Sequence, residues 1–122
     1  MKILIIDDER SIRNSLKEIL VDEGYDVDLA ENGSQGCAMV DKEKYSVIFC
    51  DIKMPEMDGL EATKAIRALE RPDAKRVPII AMTANAFDED VQRSLQVGMN
   101  AHLSKPVEPE HLFQTLEELI WD

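Results

Sequence analysis

The chain has 122 residues, of which 44% are hydrophobic and 32% charged, and its 25 acidic against 14 basic side chains give a formal net charge of −11. This length suits one domain with a continuous core, so we expect a single domain over residues 1–122 with no effector domain. The acidic surplus argues against direct nucleic-acid binding, because phosphate contacts need clustered Lys and Arg. No apolar run approaches the roughly 20 residues of a membrane span and no signal peptide is recognisable, so we expect a cytoplasmic protein without membrane insertion.

Hydrophobic patterning predicts five short strands that alternate with five helices. The apolar runs that indicate strands are 2–6, 27–30, 46–50, 77–82 and 101–103. Helical spacing predicts helices over 10–23, around Cys37 to Val40, from an Asp58–Glu61 capping box to Arg71-Pro72-Asp73, through Phe87, Val91 and Leu95, and from Pro109 to Ile120. Because parallel strands need crossover connections, this alternation predicts an α/β fold with a five-stranded parallel sheet covered by helices on both faces.

Four of the predicted strands end in polar side chains. Asp7 and Asp8 follow the first strand, Asp51 the third, Thr83 the fourth and Lys105 the fifth. The carboxyl ends of parallel strands share one edge of the sheet, and ligands bind at that edge. We therefore expect these five side chains to form one constellation.

This constellation is suited to phosphoryl transfer. Three converging carboxylates repel one another by several kcal/mol at about 4 Å, so they either take up a proton or hold a cation. Mg²⁺ prefers such hard oxygen ligands and keeps positions for water and phosphate oxygens. With the metal on Asp8, Asp51 and a loop carbonyl, the free oxygen of Asp51 can attack a phosphoryl donor to give an aspartyl phosphate. Lys105 supplies a second positive charge, and the Thr83 hydroxyl can donate a hydrogen bond to the phosphoryl group.

Four motifs occur together at these strand ends. They are Asp7-Asp8, Asp51-Ile52-Lys53-Met54-Pro55 with Asp58-Gly59, Met82-Thr83-Ala84, and Lys105-Pro106. Over essentially its whole length the chain thus resembles a response-regulator receiver domain of the CheY-like type. The resemblance implies a flavodoxin-like (βα)5 three-layer sandwich with strand order 2-1-3-4-5.

The resemblance also implies how the acidic site works. Asp51 would accept a phosphoryl group from a histidine kinase or a histidine phosphotransfer protein. The ligands of Mg²⁺, or of Mn²⁺ in its place, would be Asp7, Asp8, Asp51 and the backbone carbonyl of Lys53. A receiver of this kind is a phosphoacceptor regulatory domain rather than an enzyme, since it catalyses only its own phosphorylation and slow autodephosphorylation.

Structural and switching roles follow from the same resemblance. Thr83 and Lys105 would read the phosphorylated state. Gly59 and Pro106 would be structural, and the Lys105-Pro106 peptide would be cis.

Two features depart from the commonest family pattern. His102 stands where many receivers carry a Tyr or Phe that swings inward on activation, and its charge state can couple switching to pH unless the ring is held in one inert rotamer. Lys53, two residues after Asp51, can cover the phosphoryl group, whereas Asn85, two after Thr83, is polar but not acidic. We therefore expect a longer phosphoryl lifetime than in fast chemotaxis regulators.

The partners follow from the family. The donor would dock along the first helix, with Ile12, Asn14 and Ser15 as candidate contacts. Readout would use the fourth helix, fifth strand and fifth helix (residues 87–120), through a downstream protein or a phosphorylation-dependent homodimer.

Two roles stay open. A phosphorelay or hybrid-kinase receiver is favoured by the stretches 82–87 and 98–106, which resemble receivers of hybrid sensor kinases. The alternative, favoured by the Met1 start directly before the first strand, is a single-domain chemotaxis-type output switch that binds a target protein when phosphorylated.

Two other classes fit less well. A haloacid-dehalogenase-type phosphatase would need an acid at the position of Lys53. A flavodoxin would need a phosphate-binding loop where this chain has Asp7-Asp8-Glu9, which would repel phosphate.

Overall fold

The structure is a computed structural model that describes residues 1–84 and 89–120. The strands are β1 (Lys2–Ile6), β2 (Asp26–Ala30), β3 (Val47–Asp51), β4 (Ile79–Thr83) and β5 (Ala101–Ser104). The helices are α1 (Arg10–Asp22), α2 (Gly33–Lys42), α3 (Gly59–Arg67), α4 (Pro72–Arg76), α5 (Glu89–Gln96) and α6 (Pro109–Ile120). All strand pairs are parallel in the order β2-β1-β3-β4-β5, so the predicted α/β class and strand order are confirmed.

The core has two layers, one on each face of the sheet. β3 and β4 are buried at every position, because helices cover both of their faces. Alternate strand residues pack towards α2 and α3 on one face and towards α1 and α6 on the other. This burial fixes the strand register, since a slip of one residue would exchange the two faces.

The segment between α3 and β4 differs from the prediction. The third predicted helix was expected to include Leu69 and the fourth strand to begin at Val77. In the structure α3 ends at Arg67, β4 begins at Ile79, and the short helix α4 lies between α3 and β4. Pro72 occupies the first turn of α4, where its missing N–H costs nothing. The sequence predicts Arg71-Pro72-Asp73 only as the end of the third helix, so the prediction of five helices was wrong here, whereas the Asp58–Glu61 capping box is confirmed.

None of the helices within the described ranges is long and apolar enough to cross a membrane.

A polar network ties β1, β2 and the start of β3 together at the amino-terminal edge of the sheet. Tyr45 is 4% exposed, and its hydroxyl donates a hydrogen bond to Oδ2 of Asp28 at 2.7 Å. Nζ of Lys2 lies 3.5 Å from the same oxygen and 2.8 Å from Oε2 of Glu43. Burial first, and then the Asp28 carboxylate, raise the pKa of Tyr45, so this hydroxyl is a donor across the ordinary pH range.

We expect Tyr45→Phe to lower the free energy of unfolding by about 1–2 kcal/mol, because it removes a hydrogen bond to a charged acceptor while the ring stays in place. Urea denaturation at pH 7 measures the change. Tyr25→Phe is the matched control, since Tyr25 is a half-buried ring at the edge of the other core layer. Equal losses in the two variants would contradict a specific contribution from the Tyr45–Asp28 bond.

Candidate functional site

Three acids converge at the carboxyl edge of the sheet. Asp7 follows β1 and is fully buried, Asp8 is exposed, and Asp51 ends β3 with 3% of its surface exposed. One carboxylate oxygen from each of the three lies within 4.8 Å of the others. The structure thus brings together the acids that the sequence predicts to converge.

Asp7 is held through both its backbone and its side chain. Its N–H donates to the carbonyl of Ala30 at 3.2 Å, and Oδ1 accepts from the N–H of Glu9 at 2.9 Å. The other oxygen, Oδ2, is fully buried and lies 3.0 Å from Nζ of Lys105, but without the alignment of a hydrogen bond. One oxygen of Asp7 is therefore satisfied by protein, and the other has only a charge contact.

Asp51 lies against the loop between β3 and α3. Its Oδ1 accepts from the N–H of Lys53 at 3.3 Å, and its Oδ2 lies 3.2 Å from Nζ of Lys105. The N–H of Gly59 donates to the carbonyl of Ile52 at 2.9 Å, and a Cβ at position 59 would lie 2.3 Å from the carbonyl oxygen of Asp51. Glycine is needed at position 59 because the backbone approaches too closely for a side chain.

The electrostatics of the site favour uptake of a cation or a proton. Burial first, and then the Asp7 carboxylate, raise the pKa of Asp51 to about 7, although Lys105 acts in the opposite direction. Burial lowers the pKa of Lys105, but the carboxylates of Asp7 and Asp51 outweigh it and hold the pKa above its ordinary value. The single ammonium group of Lys105 thus compensates only part of the negative charge of the two buried carboxylates.

These residues fit a divalent cation. The donors are hard carboxylate oxygens, and Oδ2 of Asp7 is a buried acceptor without an aligned donor. Mg²⁺ binds such oxygens and needs few protein ligands. The carbonyl of Lys53 as a further ligand stays a prediction.

The ends of β4 and β5 deliver the remaining polar groups. Thr83 is 3% exposed, and its carbonyl accepts from the N–H of Lys105 at 2.7 Å. The Lys105-Pro106 peptide is cis. This backbone contact sets Lys105 beside the end of β4, from where its side chain reaches both buried acids.

The structure does not bring every predicted site residue to the acids. His102 is exposed on β5 and lines an open cavity of about 360 Å³ together with His111 and Glu118 of α6. Lys53 has an exposed side chain. Asn85, like Phe87 and Trp121, lies outside the described residues. The switching role of His102 and the tuning roles of Lys53 and Asn85 stay predictions.

Arg13 is a site residue that the sequence analysis missed. It is 7% exposed on α1, and Nη1 donates to the backbone carbonyl of Asp7 at 2.7 Å. A signal was present, since Arg13, Leu16 and Leu20 follow the i, i+3, i+7 spacing of one buried helix face. An arginine on an apolar face needs a polar partner, and here that partner lies in the acidic site.

A groove of about 580 Å³ lies beside α1 and reaches Lys105. One wall is α1, with Ser11, Ile12, Ser15 and Ile19, and the other is the segment from Lys105 to Val107. Two of the three predicted donor contacts, Ile12 and Ser15, therefore line a surface that leads to Lys105. The third, Asn14, is exposed on the same helix.

Comparison with known proteins gives consistent matches. The family described as response regulator receiver domain matches residues 3–117. Hybrid signal transduction histidine kinase B of Dictyostelium discoideum is 43% identical over 115 aligned positions, and the match covers 87% of this chain but 6% of that kinase. The chain thus spans a small part of this relative.

Two solved structures are similar over nearly the whole chain. Chemotaxis protein CheY4 of Vibrio cholerae is 36% identical with a TM-score of 0.90, and 97% of each chain is covered. The receiver domain of sensor histidine kinase PA1611 from Pseudomonas aeruginosa PAO1, whose structure has a magnesium ion in the active site cleft, is 36% identical with a TM-score of 0.91, covering 99% of this chain and 98% of that one. This chain belongs to the response regulator receiver domain family of two-component signalling.

Proposed function

We propose that this receiver accepts a phosphoryl group on Asp51 from a phosphohistidine of a histidine kinase or a histidine phosphotransfer protein, in a reaction that depends on Mg²⁺ or Mn²⁺. The observation that carries the proposal is the pairing of a buried Asp51 with two further acids and one shared lysine. The Asp51 carboxylate lies within reach of Nζ of Lys105 at 3.2 Å, and the nearby groove opens beside that lysine. The groove thus reaches the lysine that contacts the Asp51 carboxylate.

The transfer can be written with few groups. An ionised oxygen of Asp51 attacks the phosphorus, the P–N bond breaks, and the imidazole of the donor leaves and takes up a proton. A bound Mg²⁺ supplies charge neutralisation for the phosphoryl oxygens. Asp7, Asp8, Asp51 and the carbonyl of Lys53 would hold it.

Lys105 and Thr83 have their roles after the transfer. The Lys105 ammonium, which now compensates Asp7 and Asp51, can pair with a phosphoryl oxygen, and the Thr83 hydroxyl can donate a hydrogen bond to another. Hydrolysis of the aspartyl phosphate by the domain itself would be slow, with Lys53 and Asn85 shaping water access. His102, which lies on β5, would respond to phosphorylation of Asp51.

A relay role accords with the similarity to a hybrid kinase, and the groove along α1 suits a helical donor. The output switch is a second candidate because the similarity to the chemotaxis protein CheY4 covers 97% of both chains. Return of phosphate from Asp51 to a phosphotransfer histidine favours the relay, and binding of a target only in the phosphorylated state favours the switch.

With Mg²⁺ and acetyl phosphate, we expect the wild-type protein to gain the mass of one phosphoryl group and Asp51→Asn to gain none, because the amide cannot act as the nucleophile. Intact-mass spectrometry measures the adduct. EDTA should prevent it. Asp26→Asn, which changes an exposed acid at the start of β2, should behave as wild type. An adduct that persists in Asp51→Asn would place the acceptor elsewhere.

In metal-free solution at pH 8, we expect Asp51→Asn to be more stable than wild type by about 2 kcal/mol. The pKa of Asp51 is raised to about 7 from 3.8, so folding favours the protonated acid, and this stability is lost as the pH rises from 3.8 to about 7. Urea denaturation with EDTA between pH 4 and pH 8 measures the difference, which should shrink towards pH 4. Mg²⁺ at pH 8 should stabilise wild type more than the variant. A difference that does not change with pH would contradict the burial argument.

Ser15→Arg should slow phosphorylation by a phosphorylated histidine phosphotransfer protein roughly tenfold, because the long side chain would occupy the groove on α1. Phosphorylation by acetyl phosphate should be unchanged, since that donor needs no docking. Ser46→Arg, at the opposite end of the sheet, is the matched control. Both rates can be followed by the appearance of the phosphorylated mass. An equal loss with both donors would mean that the site itself has been disturbed.

A further inference from the structure

We propose that Arg13 is a positioning residue that holds Asp7 and Asp8 in their cation-binding arrangement, an inference that rests on the proposed function. Arg13 is 7% exposed and lies on α1, one to two turns from the acids in sequence. Its Nη1 donates a hydrogen bond of 2.7 Å to the backbone carbonyl of Asp7. This contact joins a rigid helix to the end of β1.

The carbonyl that Arg13 binds belongs to the peptide group between Asp7 and Asp8. Because this peptide group is planar, holding it in one orientation restricts ψ of Asp7 and φ of Asp8. The directions in which the two side chains leave the backbone are restricted with them. The N–H of Asp7 is bound separately by the carbonyl of Ala30 at 3.2 Å. With its N–H held by β2 and its carbonyl held by α1, the backbone at Asp7 has little freedom to rotate.

The alternative partner of Arg13 is weak. Nη2 lies 4.0 Å from Oε1 of Glu31, whose side chain is 73% exposed. An exposed carboxylate at this distance contributes little to the orientation of a buried guanidinium. The hydrogen bond to the Asp7 carbonyl is therefore the contact that defines where Arg13 lies.

Charge and positioning predict opposite results when Arg13 is replaced. Loss of a positive charge beside three acids would make the site more negative and strengthen cation binding. Loss of the hydrogen bond would free the Asp7–Asp8 peptide and weaken cation binding, by roughly tenfold or more where groups that orient metal ligands are removed. The sign of the change separates the two effects.

The test is Mg²⁺ titration of the unphosphorylated protein, followed by the rise in its unfolding temperature. Arg13→Met keeps the length of the side chain but removes the charge and the donors, and we expect its Mg²⁺ dissociation constant to rise roughly tenfold. Arg13→Lys keeps the charge but not the planar donor, and we expect a rise of about threefold. Arg10→Met removes an exposed charge from the same helix, and we expect its affinity to be equal to that of wild type or tighter.

A dissociation constant in Arg13→Met that equals or falls below that of wild type would overturn the inference, even if the variant melts at a lower temperature, because Arg13 would then serve stability alone. If Arg13→Met does not fold, Arg13→Lys carries the test, and wild-type affinity in that variant overturns the inference. Failure of the wild-type protein itself to bind Mg²⁺ would instead overturn the proposed function. The two failures are therefore distinguishable.

Discussion

The repulsion between Asp7, Asp8 and Asp51 is the interaction on which the rest of the site depends. Folding brings these acids together although they repel one another, because the apolar strands that precede them are buried on both faces and fix where each strand ends. Lys105 relieves only part of the repulsion, since one ammonium group faces two buried carboxylates at 3.0 and 3.2 Å. The hydrophobic core thus stabilises an arrangement that favours a cation or a proton.

The positions of the acidic side chains are set largely by backbone hydrogen bonds and by residues outside the recognised motifs. Asp7 is oriented by the N–H of Glu9 and by Arg13, and the loop after Asp51 closes on the strand because residue 59 has no side chain. A carboxylate held in this way on one oxygen keeps the other for chemistry. The motif residues supply the reactive groups, and their neighbours supply the geometry.

The sequence predicted the fold class, the strand ends to within one residue and the convergence of the acids, because each depends on a local signal: an apolar run that stops at a polar residue. It did not predict α4, since Pro72 can end one helix or begin another and only tertiary packing decides. It also missed Arg13, because a single charged residue within an apolar helix face is normally assigned to solvent. The partner of Arg13 is the backbone carbonyl of Asp7, and hydrophobic periodicity carries no information about hydrogen bonds to the backbone.

The link between Thr83 and Lys105 limits how the proposed phosphorylation could be transmitted. The N–H of Lys105 donates to the carbonyl of Thr83 at 2.7 Å, so the ends of β4 and β5 are joined through the backbone. A phosphoryl group on Asp51 would add roughly −1.5 to −2 charge beside them. Because the core holds β4 at every position, side-chain rearrangement of Thr83 and Lys105 is the response that needs the least change in packing. Any change at the exposed His102 would then follow from altered packing around β5 and not from a direct contact with the acids.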